Sequence, residues 1–161
     1  MDTVDIMEKV YLSEQDKRIL RLIQKNASMS RQELAEAANV SPTTLWRRLN
    51  ELEKLGVIED RVTILNAEKV GMAVCFLVSI NMASHEAAPL EEFEQFVTNT
   101  AEVMECYSMT GQHDYLLIVR TETVADFQKL LMNRILTHPS VENAMSTVTL
   151  SRLKYTTALP L

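Results

Sequence analysis

Ser41-Pro42-Thr43-Thr44-Leu45-Trp46-Arg47-Arg48-Leu49-Asn50-Glu51-Leu52-Glu53-Lys54-Leu55-Gly56 reads as a helix with both ends marked. Ser41 is an N-cap, and Pro42 occupies the first helical position, where its missing N–H costs nothing. Gly56 sits where a left-handed residue stops a helix. Leu45, Leu49, Leu52 and Leu55 recur at helical spacing and predict a buried stripe. Val40 and Leu45 stand at the positions of a hydrophobic staple. Working upstream, Ser30-Arg31-Gln32-Glu33 is a capping box, flanked by a second staple, Met29 and Leu34. Ala35, Ala37 and Ala38 allow a neighbouring helix to come close, and Asn39 tolerates a left-handed turn. Further upstream, Ser13 caps a helix with Asp16 at its third position, Ile19, Leu20 and Ile23 on its apolar face, and an end near Asn26.

Two capped helices joined by a short turn have the geometry of a helix-turn-helix, whose second helix can enter the major groove of DNA. Off the leucine stripe lie groups suited to that task. The hydroxyls of Ser41, Thr43 and Thr44 can bond phosphates or bases, and Arg47 and Arg48 can grip guanine in bidentate fashion. Trp46, one step from the stripe, is either a half-buried packing residue or an apolar contact to a sugar or thymine methyl. Arg31 and Gln32 open the preceding helix, where side chains and free N–H groups can hold a phosphate. The alternative is a three-helix bundle that binds protein, a degenerate helix-turn-helix with its arginines paired to Glu51.

Downstream of Gly56 the period changes. Val57–Leu65 is rich in β-branched residues and reads as a strand or strand-like linker. Strands are then expected at 74–82, 103–109, 115–120 and 141–150, and helices at 89–99 and 124–137. The order βαββαβ is a ferredoxin-like unit. The expected architecture is therefore α+β. It comprises a winged-helix-like helix-turn-helix domain (1–60), a linker strand (61–72) and a C-terminal ferredoxin-like domain (73–161).

Composition narrows the function classes. The net charge is −6, unhelpful for a phosphate binder, but residues 1–60 hold nine basic and eleven acidic side chains and are near neutral. Residues 61–161 hold seven basic and eleven acidic. Met1–Val10 is acidic and unlike a signal peptide, and no apolar run is long enough to span a membrane, so a cytoplasmic protein is expected. Cys75 and Cys106, in apolar surroundings, read as reduced core thiols. His85, His113 and His138 lack metal-ligand spacing, so neither metal nor cofactor is expected. Cys106, His113 and Asp114 are chemically able to catalyse, but no phosphate loop accompanies them, and an enzyme is not expected.

Several segments together resemble the Lrp/AsnC family of feast/famine regulators. Leu12-Ser13-Glu14-Gln15-Asp16-Lys17-Arg18-Ile19-Leu20 is similar to its opening helix. Val40-Ser41-Pro42 and Arg48-Leu49-Asn50-Glu51-Leu52-Glu53-Lys54-Leu55-Gly56-Val57-Ile58 resemble its recognition helix and exit. Glu102-Val103-Met104-Glu105-Cys106-Tyr107 and Thr110-Gly111-Gln112-His113-Asp114-Tyr115-Leu116-Leu117 resemble its ligand-domain signature. Lys154-Tyr155-Thr156-Thr157-Ala158-Leu159-Pro160-Leu161 resembles the ending of a subgroup that regulates amino-acid breakdown. Glu59-Asp60-Arg61-Val62 departs from the tyrosine and small residue many members carry there.

The resemblance implies a transcription regulator that binds double-stranded DNA and an amino-acid effector. It implies dimers formed through the sheet, and tetramers or octamers of those dimers. It assigns the effector to Gly111, Gln112, His113, Asp114 and Tyr115, with Leu136, Thr147 and Val148. Physically, Gly111 permits a close backbone approach or is simply a hairpin turn. Asp114 can accept from an α-ammonium group or stabilise the turn, and His113 is either a solvated loop residue or a contact to the effector side chain.

Overall fold

The computed structural model describes residues 10–161; Met1 to Lys9, which carry most of the acidic N-terminal segment, lie outside the described residues. The chain divides into two compact units. One comprises residues 10–63 of the described chain together with Lys154–Leu161, and the other comprises Ile64–Leu153.

The first unit holds α1 (Glu14–Lys25), α2 (Arg31–Ala38) and α3 (Pro42–Lys54). Each cap expected from the sequence forms. Ser13 and Asp16, and Ser30 and Glu33, make reciprocal capping boxes, and the Ser41 hydroxyl accepts from the Thr44 N–H. Asn39 takes a φ of 55°, which lets the Val40 N–H close on the Ala35 carbonyl at 2.9 Å. Gly56, at φ 68°, ends α3 in the same manner. Its own N–H reaches the Glu53 carbonyl and that of Val57 reaches the Leu52 carbonyl, satisfying two of the acceptors at the helix end. Ile19, Leu34, Ala35, Ala38, Leu45 and Leu49 form the core, with Met29, Val40 and Ile58 packed on it.

Two expectations need correction here. Leu55 is exposed: α3 ends at Lys54, and Leu55 is the cap residue beyond its last turn. Val57–Leu65 forms no strand among the described residues. Its first two N–H groups are spent on the end of α3, and Val62, Ile64 and Leu65 stand in solvent, so no ladder partner is available to convert β propensity into a strand. The chain then makes a turn at residues 67–71, with Gly71 at φ 86°.

The second unit holds β1 (Val74–Met82), α4 (Ala87–Thr98), β2 (Val103–Ser108), β3 (Tyr115–Thr121), α5 (Val124–Leu130) and β4 (Val141–Val148). The four strands form one antiparallel sheet in the order β2-β3-β1-β4, the ferredoxin-like arrangement. The helix expected over 124–137 is α-helical only to Leu130 and continues as a π-helical turn, Leu131–Ile135. Alternate residues of β1 (Phe76, Val78, Ile80, Met82) and β3 (Tyr115, Leu117, Val119) bury themselves beneath Phe93, Val97, Phe127, Leu130 and Ile135 of the helical layer. Phe76 stacks on Phe127 with centroids 3.6 Å apart.

The other face of the sheet carries Leu77, Leu116, Ile118, Tyr107 and Met145, and no helix of this unit covers it. The two cysteines are not core residues as expected. Cys75 is half-buried on this open face, and Cys106 is exposed on the edge strand β2, where burial beside α4 and the charge of Glu94 still push its thiol up.

Candidate nucleic-acid interface and effector loop

The stripe that buries Leu45, Leu49 and Leu52 turns the opposite side of α3 outward. Ser41, Thr43, Trp46 and Arg47 are exposed there, and Thr44 is half-buried, its hydroxyl accepting from Ser41 at 2.8 Å. Asn50, half-buried and four residues after Trp46, extends this face; it is absent from the groups singled out by residue type, and only its i, i+4 spacing from Trp46 points to it in the sequence. Arg31 and Gln32 are exposed at the start of α2, and Gln32 donates to Glu36 at 3.2 Å.

The neighbouring arginines part company. The Arg47 side chain is 60% exposed and makes only a surface pair with Glu51, at 2.8 Å. Arg48, expected on the outward face, turns inward. Its Nε and Nη2 both donate to Asp16 at 2.7 Å, and Nη1 donates to Glu51. Asp16 is fully buried and also accepts from the Ser13 N–H and hydroxyl, at 3.0 and 2.6 Å. Burial pushes the Asp16 carboxyl up, but the hydrogen bonds from Arg48 and Ser13 outweigh it and hold the group below the usual carboxylate range. A buried carboxylate needs a paired cation, and Arg48 is the one within reach. The pair clamps α1 to α3, and Glu51, held between Arg48 and Arg47, extends the charge chain to the surface.

The loop between β2 and β3 is built around Gly111, at φ 121°, a backbone value that L side chains rarely adopt. Asp114 fixes the loop to the end of β1. One carboxylate oxygen accepts from the Met82 N–H at 2.7 Å, and the other meets His85 Nε2 at 2.8 Å. The Met82 N–H does most to hold this carboxyl below its ordinary range. The Gln112 carbonyl accepts from Asn81 Nδ2 at 2.8 Å, and His113 Nδ1 lies 2.9 Å from Asn81 Oδ1. Tyr115 is buried, its hydroxyl donating to Glu94 at 2.9 Å, and burial drives its pKa strongly upward. His85 and Asn81 are partners that sequence spacing could not identify, since they lie some thirty positions away.

The expected effector residues are not all gathered in one chain. Gly111–Tyr115 adjoin the Ile80–Met82 end of β1. Thr147 and Val148 pair with Leu77 and Phe76, toward the other end. Leu136 follows the π-helical turn and is 39% exposed.

Comparison with known proteins places this geometry. The sequence model of a winged helix-turn-helix DNA-binding domain matches residues 5–59, and that of the Lrp/AsnC ligand binding domain matches residues 75–159. The chain is 33% identical over 150 residues to the glutamate uptake regulatory protein of Zymomonas mobilis, covering 93% of this chain and 91% of that one. It is 33% identical over 149 residues to the DNA-binding transcriptional activator DecR of Escherichia coli, covering 91% and 96%. An AsnC family transcriptional regulator from Agrobacterium tumefaciens matches with a TM-score of 0.88 at 34% identity, over 92% of this chain and 97% of that chain. A transcriptional regulator from Neisseria meningitidis, solved as a complex with L-Met, matches with a TM-score of 0.89 at 29% identity, over 93% and 97%.

Proposed function

The chain belongs to the Lrp/AsnC family of transcription regulators, and from that premise we propose how it acts. It binds duplex DNA through the outward face of α3, and an amino-acid effector held at the loop Gly111–Asp114 modulates that binding. The observation that carries the reading is the exposed row Thr43, Trp46 and Arg47 on the second helix of a capped helix-turn-helix. Ser41, Thr44, Arg31 and Gln32 supply phosphate contacts at the two helix starts, and Arg48 holds α3 in place from behind. Domain limits of 1–60, 61–72 and 73–161 separate reading, connection and sensing.

The effector's α-carboxylate meets backbone N–H groups of the Gly111 loop, with His113 toward its side chain. Asp114 keeps the loop in register through Met82 and His85. Tyr115, Leu136, Thr147 and Val148 complete the site, those remote from the loop acting from neighbouring subunits. A second copy covers the open apolar face of the sheet, and such dimers associate further. The effector acts because it favours one assembly over another. The protein works in the cytoplasm, without a metal or cofactor and without enzymatic turnover.

Fluorescence anisotropy with promoter fragments at low salt, with and without each amino acid, tests this. Binding that weakens with salt is expected, and Arg47→Ala should make the salt slope shallower by about one unit. A protein-interaction module would leave duplex DNA unbound at every salt concentration. A thermal-shift screen of the twenty amino acids identifies the effector as the one that raises Tm.

A further inference from the structure

Trp46 is the only tryptophan of the chain and is 54% exposed. Among the described residues its ring stacks on no other ring and holds no cation. It is held out by the helix itself. Leu45 on one side of it is fully packed, so α3 cannot rotate to bury the indole without exposing the leucine stripe. Thr43 and Asn50 lie on its face at helical spacing, and Arg47 is its neighbour.

An exposed indole on a face proposed to meet DNA can take an apolar partner, and its setting selects one. A second copy of the chain is a poor fit. Arg47 and Thr43 flank the indole, both exposed, whereas the centre of a protein interface is depleted of charge. The apolar surface suited to a copy lies elsewhere, at Leu77, Tyr107 and Met145 on the sheet. In the major groove the apolar group is the thymine C5-methyl; the other exposed base-edge groups there are donors and acceptors. Arg47 supplies the charge that brings this face against phosphates or a guanine edge.

Resting on the DNA-binding reading above, we infer that Trp46 is a specificity-determining residue. Its ring packs against the methyl of a thymine beside the base or phosphate met by Arg47. The preference is for an apolar group rather than a hydrogen-bonding edge. It therefore belongs to thymine and not to adenine-thymine pairs in general.

The test uses a duplex enriched by the wild-type protein from a random library, with each thymine replaced in turn by deoxyuridine, which removes the methyl alone. At one thymine per half-site, wild-type affinity should fall about fourfold, the worth of one buried methyl group. Trp46→Ala should bind thymine and deoxyuridine versions equally, and Trp46→Phe should keep part of the difference. Wild-type binding that is indifferent to every replacement overturns the inference while leaving the DNA-binding reading intact. Discrimination that persists in Trp46→Ala overturns it equally, as does a changed oligomeric state of that variant with discrimination unaltered. Failure of the wild type to enrich any duplex overturns both.

Discussion

Asp16 is a carboxylate with no exposed surface, in a unit of three short helices, and its charge is sustained by four donors from Ser13 and Arg48. Removing Arg48 strands a buried carboxylate, and removing Asp16 leaves a part-buried Arg48 with Glu51 alone. Asp16→Ala should lower unfolding free energy by about 3 kcal/mol, measured by urea titration. Replacing both Asp16 and Arg48 by leucine should cost clearly less than the two single changes added together. Because the folded carboxyl titrates below its ordinary value of 3.8, its contribution is present above that pH and is lost as pH falls through the lower folded value. Gly111 makes a different demand. A Cβ added there would have no neighbour within 4 Å, so Gly111→Ala meets no clash, only the strain of φ 121°. The cost should be about 1–2 kcal/mol, read as lower Tm and a weaker effector response with basal DNA affinity unchanged.

At the scale of elements, the helices of the first unit were legible because their ends are written in local chemistry. Ser13, Ser30, Ser41, Asn39 and Gly56 act on the nearest backbone groups, whatever the rest of the chain does. β1 was legible to the residue for a similar reason, its apolar alternation being one buried face. What could not be read depends on partners distant in sequence. Arg48 turns inward because Asp16, 32 positions earlier, waits there. Leu55 is dry by periodicity and wet by position, and Val57–Leu65 has strand composition without a strand to join. Resemblance alone suggests the loop Gly111–Asp114 as the effector's place, while the anchoring of Asp114 by Met82 and His85 needed the fold.

The helical layer also carries a titration that composition conceals. His138 sits against Phe93 and Phe96, with ring centroids 5.8 and 4.9 Å away, and burial lowers its pKa, only partly opposed by Glu92. The unfolded chain therefore takes up the proton more readily, at the ordinary value of 6.5. Stability from this group is present above that pH and is lost as pH falls through the lower folded value. The denaturant midpoint of the wild type should fall between about pH 7 and about pH 5, and His138→Gln should flatten that difference.

At the scale of the molecule, the chain passes between its two units twice, once near Thr63 and again near Leu153. The second passage follows β4, a strand of the sensing sheet, and ends with Lys154–Leu161 as part of the DNA-reading unit. That ending is held by α1. Gln24 exchanges two side-chain hydrogen bonds with the Leu159 backbone, at 2.6 and 3.3 Å, and Arg21 Nε donates to the Leu161 carbonyl at 2.7 Å. Most of the tail's apolar side chains stay exposed, and these hydrogen bonds lie in solvent, where each contributes little and a modest change shifts it. Coupling between two sites requires an element that both of them bias, and a docked tail covalently continuous with β4 qualifies. Gln24→Ala should therefore leave DNA affinity without effector within about twofold, since the proposed reading face of α3 is untouched. The same variant should shrink the change in affinity that the effector produces. Anisotropy titrations with and without the effector, on Gln24→Ala and on a chain ending at Leu153, give both numbers. An unchanged effector response in both would remove the tail from the coupling.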